Sequence, residues 1–468
     1  MGSDTPPNLD ASTPVAGVDA AFAENSRARS RRRLVMAVSF GFFALVLGAW
    51  LWLFFADAVP PDDPALRLER WPEVPDEENG AWLYREAMLA VDSPAFQAFQ
   101  GLEARKPFFR SLDLYGEPGP ELVAALREPI RAAADAQRPA LDLLSRASRA
   151  REYSPEWEFA QGRLADVADL TAFVVYLAAQ AKWLEGDVEG AWELFRVQRI
   201  LLGRISERPR SSTDLHTALA SQSFLGPLRI LLAISPERTP EQLRRWLDDL
   251  ASPLLVEDWR ARQLRRDAGL VDGWARAGFG SSSLWYRPGR TRARLAELHR
   301  EWLASADEWF EPRAHSQRHP GELAPKERFL GIVGGNLVGE QFVQYWRVSQ
   351  EVHVALPLEA RRALLMDELA RAAIAIRLHH HSLGEWPESL DALVPEFLPA
   401  VPRDPHDPAG GPLRWSREEL ALWSVGQDRA VIGPAPASLS RFDQILAPTP
   451  TVRFGEPADA GSRAEGEK

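Results

Sequence analysis

Between Leu34 and Ala56 the chain runs 23 residues without a charge, as LVMAVSFGFFALVLGAWLWLFFA. Coiled as an α-helix this run is about 35 Å long, enough to cross a hydrocarbon core of about 30 Å with some tilt. A helix apolar on every side has no face to offer water. The flanks choose its surroundings. Arg27 and Arg29 lead into Arg31, Arg32 and Arg33 on one side, and Asp57, Asp62 and Asp63 follow on the other. An arginine excess marks the cytoplasmic flank of a span. Trp50 and Trp52 lie near the other end, where indole rings favour the membrane interface. The pattern predicts a transmembrane helix over 34–56, held in the lipid bilayer with the N-terminus cytoplasmic. The rival reading is a cleaved signal peptide, because Ala56-Asp57-Ala58 fits a cleavage site. A signal h-region spans only about 7–15 residues, so a retained anchor is expected.

The remainder of the chain is acidic. Its 468 residues carry a formal charge of −11, while the tail before the span is almost neutral. That balance argues against a nucleic-acid partner. Cysteine is absent, which excludes disulfides, thiolate metal sites and thiol nucleophiles.

Periodicity divides the chain. Residues 1–33 read as a disordered cytoplasmic tail, and 57–76 as a proline-rich stalk. A helical ectodomain follows over 77–356, then a small module over 357–433 and a flexible tail over 434–468. Apolar spacing predicts helices over 77–91, 119–148, 160–185, 188–205, 212–234, 239–251, 255–276, 290–310 and 357–381. The fold class is therefore mainly α. It combines the transmembrane helix, a multi-helix ectodomain of αα-hairpin type and a C-terminal helix-plus-β-hairpin module. Around Gly186-Asp187 the small residues resemble a tetratricopeptide hairpin, but no second copy occurs near a period of 34. The glycine-rich run Phe329–Gly339 is too short to span and lacks a phosphate-loop pattern, so a buried, closely packed segment is expected.

After His379-His380-His381 come Gly384-Glu385-Trp386-Pro387-Glu388-Ser389-Leu390, Pro402-Arg403-Asp404-Pro405 and Ser424-Val425-Gly426-Gln427-Asp428. This order, over about 60 residues, resembles the C-terminal part of major-type pseudopilins of type II secretion. Those have a G-x-x-P-x-x-L turn, a P-x-D-P loop and a strand pair ending in S-x-G-x-D. The pattern also resembles uncharacterised bacterial single-pass proteins that pair it with a proline-rich stalk and a helix start like Glu78-Asn79-Gly80-Ala81-Trp82-Leu83-Tyr84. The calcium loop of the pseudopilins is not matched, since Gln427-Asp428-Arg429 offers one carboxylate and then a cation. The prepilin cleavage pattern is also missing, so a pilin subunit is not expected. The resemblance, with basicity supplied almost wholly by arginine, implies a bacterial inner-membrane protein with a periplasmic C-terminal domain and an envelope or secretion partner.

Catalytic motifs are missing from the sequence: no HExxH, GxSxG or SxxK occurs. His379, His380 and His381 are weak metal candidates, because adjacent helical residues point about 100° apart. Asp404 and His406 flank Pro405 and read as part of a turn. The loop Trp285, Tyr286, Arg287 and Arg290 combines residue types that dominate interface hot spots, and it is the candidate binding site. No cofactor is expected. The functional expectation is a non-catalytic, membrane-anchored interaction or scaffold module. The alternative is a periplasmic hydrolase that binds glycan or peptide in a tryptophan-lined cleft.

Overall fold

A computed structural model describes residues 16–55, 57, 74–102, 106, 118–154, 163–208, 212–277, 286–304, 328, 329, 332, 336–352, 355–407, 409–425 and 451–454. It is mainly helical, with 13 α-helices and one small antiparallel sheet among these residues. The helices are α1 (Ala16–Phe55), α2 (Gly80–Leu89), α3 (Ser93–Gln100), α4 (Pro120–Ala136), α5 (Arg138–Arg149), α6 (Arg163–Leu184) and α7 (Val188–Glu207). They continue with α8 (Ser212–Ile234), α9 (Pro240–Asp249), α10 (Trp259–Ala277), α11 (Pro288–Ala304), α12 (Leu337–Val352) and α13 (Ala355–Leu383). The strands are β1 (Arg414–Ser416), β2 (Ala421–Trp423) and β3 (Thr451–Arg453).

Two compact units divide the chain. The first comprises residues 1–60, 275–294 and 321–345. In it α1 is long and apolar enough to cross a membrane: its window Val35–Trp52 is wholly unburied by protein. The helix begins at Ala16, so residues 16–33, expected as a disordered tail, continue the same helix. The glycine-rich run is corrected too. Phe329 is 63% exposed and Ile332 41%, whereas Asn336 is buried and α12 starts at Leu337. Most of the stalk lies outside the described residues.

The second unit holds the main core. Its axis is α13 packed along α8. Ala370, Ala372, Ala373 and Ala375 bring no bulk to α13, so its neighbours approach closely. Gly226 of α8 lies against Met366, which occupies the space a Cβ would need. Local signals set the helix limits. Gly186 takes φ +83° between α6 and α7, and Asp187 caps α7 through the Gly190 amide at 2.9 Å. Thr239 and Gln242 form a reciprocal capping box on α9. The run expected as one helix over 119–148 is two, α4 and α5, broken at Gln137 with Pro139 opening the second. The Gln137 amide, fully buried, exchanges two 2.9 Å hydrogen bonds with the Asp92 backbone.

In the C-terminal module Gly384 (φ +71°) ends α13, and a 3₁₀ turn over Leu390–Leu393 buries both leucines. The sheet order is β1-β2-β3, with Trp415 opposite Leu422 and Leu422 opposite Val452. The two-stranded hairpin is thus completed by a third strand, drawn from a segment expected as flexible tail. Val452 and Phe454 are buried there.

Candidate functional site

Arg196, Arg199, Ile200, Gly203, Arg204 and Glu207 recur every three or four residues, which puts them on one face of α7. The last residue of α9, Asp249, and the linker to α10 lie opposite, the linker contributing Ser252, Pro253, Leu255, Val256 and Glu257. The two walls enclose an open groove of about 620 Å³. That volume lies within the range of small-ligand pockets. Among the described residues that line it there is no histidine, lysine or aromatic ring.

Its three arginines are in different states. Arg196 is held by Glu193 through two bonds of 2.7 and 2.8 Å. Arg199 is buried at the base. It donates to Asp367 Oδ1 of α13 at 2.6 Å and to the carbonyls of Leu250 and Ser252, which fixes the linker against α7. Arg204 is half-buried and donates to the Ala147 carbonyl at 3.3 Å. Burial holds its pKa below the ordinary arginine value, yet a guanidinium stays charged in proteins. Gly203 forms part of the floor, and a Cβ there would meet nothing within 4 Å. Glycine inside a helix costs about 0.5–1 kcal/mol relative to alanine. No neighbour requires the cost here; what the glycine provides is room in the groove.

Behind Arg199 lies a charged centre in the core. Asp367 Oδ1 also pairs with Arg229 at 3.3 Å, and Arg229 is fully buried on α8. Burial lowers the Arg229 pKa to about 10, against the attraction of Asp367. The Nε and Nη2 groups of Arg229 make no hydrogen bond among the described residues. The centre shares one carboxylate oxygen between two guanidinium groups and joins α7, α8 and α13.

The residues singled out in the sequence are dispersed. Trp285 lies outside the described residues. Tyr286 is buried and donates to the Ala275 carbonyl at 2.5 Å, and burial raises its pKa. The backbone amide of Arg287 donates to Asn336 Oδ1 at 2.8 Å. The amide of Arg290 donates to Asp57 at 2.9 Å. This segment is thus engaged inside its own unit, and nothing in the sequence pattern marked Asp57 or Asn336 as its partners. The three histidines diverge. His379 Nδ1 meets the Glu385 carbonyl at 3.0 Å, His380 stacks on Trp386 with ring centres 4.1 Å apart, and His381 is exposed. Among the described residues no three His, Asp or Glu side chains are grouped to hold a metal. Arg31 and Arg32 are exposed on α1, as is Trp52, and the side chain of Arg33 lies outside the description. Trp50 is 37% exposed.

Asp404 is a staple. Its carboxylate accepts from the His406 amide (2.9 Å), the Ser424 hydroxyl (2.8 Å) and the Val425 amide (2.7 Å). All three side chains of Asp404, His406 and Ser424 are buried, so the P-x-D-P loop is sewn to the end of β2. Tryptophans also serve packing: Trp192 and Trp246 stack with centroids 4.3 Å apart, and Trp259 and Trp302 are buried. Trp157 and Trp309 lie outside the described residues.

Comparison of the chain with known protein families, with characterised proteins and with solved structures returns no match.

Proposed function

We propose that the protein is a non-catalytic, single-pass membrane protein whose ectodomain serves as an interaction module for an envelope component. The observation that carries this reading is α1. Its apolar window Val35–Trp52 touches no protein core, and it is flanked by arginines on one side and Asp57 on the other. The orientation is N-terminus in the cytoplasm and C-terminal domain in the periplasm of a bacterial inner membrane. The resemblance of the C-terminal module to pseudopilins supports a partner from the secretion or envelope machinery.

The α7 groove is the surface we assign to that partner. Apolar walls from Ile200, Pro253, Leu255 and Val256 alternate with charges of both signs. Such a lining suits a short peptide segment. A polyanion would meet Glu207, Asp249 and Glu257, and a sugar would find no ring to stack on among the described lining residues. Arg204 is the group best placed to take a carboxylate of the peptide.

A periplasm-dependent reporter fused after Lys468, with sequencing of the mature N-terminus, tests the anchor. An active reporter with α1 retained is expected. An inactive reporter, or a mature chain beginning at Val59, would overturn the reading.

A further inference from the structure

The outer end of α1 is bonded into the first unit. Asp57, two residues past the end of the helix, accepts from the Gly289 and Arg290 amides, both at 2.9 Å. These are amides of the first turn of α11, which begins at Pro288 and whose dipole favours a carboxylate there. The same turn is tied to α12. Asn336 Oδ1 accepts from the Arg287 amide at 2.8 Å and from the Thr291 hydroxyl at 3.2 Å. Thr291 and Asn336 are buried, and both crowd Gly339, where a Cβ would not fit. The end of α1, the start of α11 and the start of α12 therefore form one junction.

If Val35–Trp52 fills the hydrocarbon core, Phe55 lies about 5 Å beyond it and Asp57 lies in the headgroup layer. Whatever is bonded to Asp57 lies at that level too. The unit has the surface for such a place. Phe329 is 63% exposed and Ile332 41%. Ile332 is four residues from Asn336, so it can be no more than about 14 Å from the junction. Charge agrees. Beyond the span, the described residues of this unit carry six arginines, Arg276, Arg287, Arg290, Arg292, Arg294 and Arg328, against Asp57 and Glu340. The described part of this unit is therefore basic, within an acidic chain.

We propose that this unit is a membrane-seated collar. Phe329 and Ile332 insert into the headgroup layer of the leaflet from which α1 emerges, and the basic surplus of the unit favours a leaflet of anionic phospholipid. The proposal deepens the anchoring reading and rests on it.

The chain has no cysteine, so single-cysteine variants label cleanly. Phe329→Cys, Ile332→Cys, Leu45→Cys and Leu383→Cys would each carry an environment-sensitive fluorophore, in the full-length protein in nanodiscs of neutral and anionic phospholipid. Leu45 lies in the span, and Leu383 is an exposed residue of the second unit. Labels at 329 and 332 are expected to emit blue-shifted relative to the label at 383, and to be quenched by lipids bearing a quencher near the headgroup. The blue shift should shrink when the anionic lipid is omitted. If 45 is shielded while 329 and 332 behave like 383, the collar is overturned and the anchor stands. If 45 is itself open to water, the anchor fails and the collar with it. A signal at 329 and 332 that ignores lipid charge would overturn the role of the basic surplus.

Discussion

Arg199 donates to Asp367 at 2.6 Å across 168 residues of sequence, and both side chains are almost fully buried. Arg229 shares the same carboxylate oxygen. The consequences of removing either partner are unequal. Asp367→Asn strands two buried cations, and breaking a buried ion pair from one side costs about 3–5 kcal/mol. Arg199→Met leaves Asp367 paired with Arg229, so it should cost less. Denaturant unfolding of the two variants is expected to rank them in that order.

Asp404→Ala should loosen the C-terminal module. It would leave the His406 and Val425 amides and the Ser424 hydroxyl without their acceptor in a buried setting. Each unsatisfied buried group costs about 1–3 kcal/mol. Ser424→Ala removes one donor along with its need for a partner and should cost about 1 kcal/mol. Hydrogen exchange at β2 would report the difference.

His299 predicts an acid-sensitive fold. It is buried, its pKa is pushed down to about 4 by desolvation, and Nδ1 lies 2.8 Å from the Leu295 carbonyl. Trp346 Nε1 points at Nε2 from 3.4 Å. The bond pattern fits a neutral ring whose Nδ1 donates and whose Nε2 accepts, so a second proton would face a donor. The unfolded chain takes up that proton near pH 6.5, well above the folded value. Stability should therefore fall as pH drops from about 6.5 to 4, by on the order of 3 kcal/mol in total from this group. The His299→Gln variant is expected to lose that part of the slope in urea titrations taken across the range.

Replacing His379, His380 and His381 together by Gln should cost little beyond the His380–Trp386 stack, and a chelator should leave the melting temperature of the parent unchanged. The three rings serve different neighbours. A melting temperature that drops on chelation would make them a metal site instead.

For the groove, Gly203→Leu fills open space above the floor and Arg204→Met removes the anchoring charge. Both should weaken capture of the envelope partner, by at least tenfold for the arginine if its pair contributes about 1.5–3 kcal/mol. Neither should lower the unfolding midpoint by much, since Gly203 packs against nothing and leucine is the better helix former. Unchanged capture by both variants, correctly folded, would remove the groove from the proposal.

The helices were legible because their signals are local. Asp187, Thr239 and Gly384 act within a few residues of themselves, and α13 is a 29-residue run dominated by alanine, leucine and arginine, all good helix formers. The short α3 and the whole of α12 were not, since one has only eight residues and the other follows a glycine run. The candidate site was invisible for a different reason. Its walls come from α7 and a linker some 50 residues later, and its buried ion pair reaches α13. Charge on a helix face ordinarily means water, so Arg199 gives no sign in the sequence that it is interior. Tyr286 shows the converse: a residue type common at interfaces between proteins is used within this one, its hydroxyl donating to the Ala275 carbonyl.

The third strand changes where this protein can be cut. Phe454 packs on Trp386 and Trp415 with ring centres 5.7 and 5.4 Å away, and its amide donates to the Leu420 carbonyl at 2.8 Å. A recombinant ectodomain ended at residue 433 would discard β3 and Phe454 together. Strand β2 would then present a bare hydrogen-bonding edge beside an uncovered aromatic cluster, and such edges recruit other chains. Aggregation of that truncated product would report a misplaced boundary, and a version carried past Phe454 should stay monodisperse.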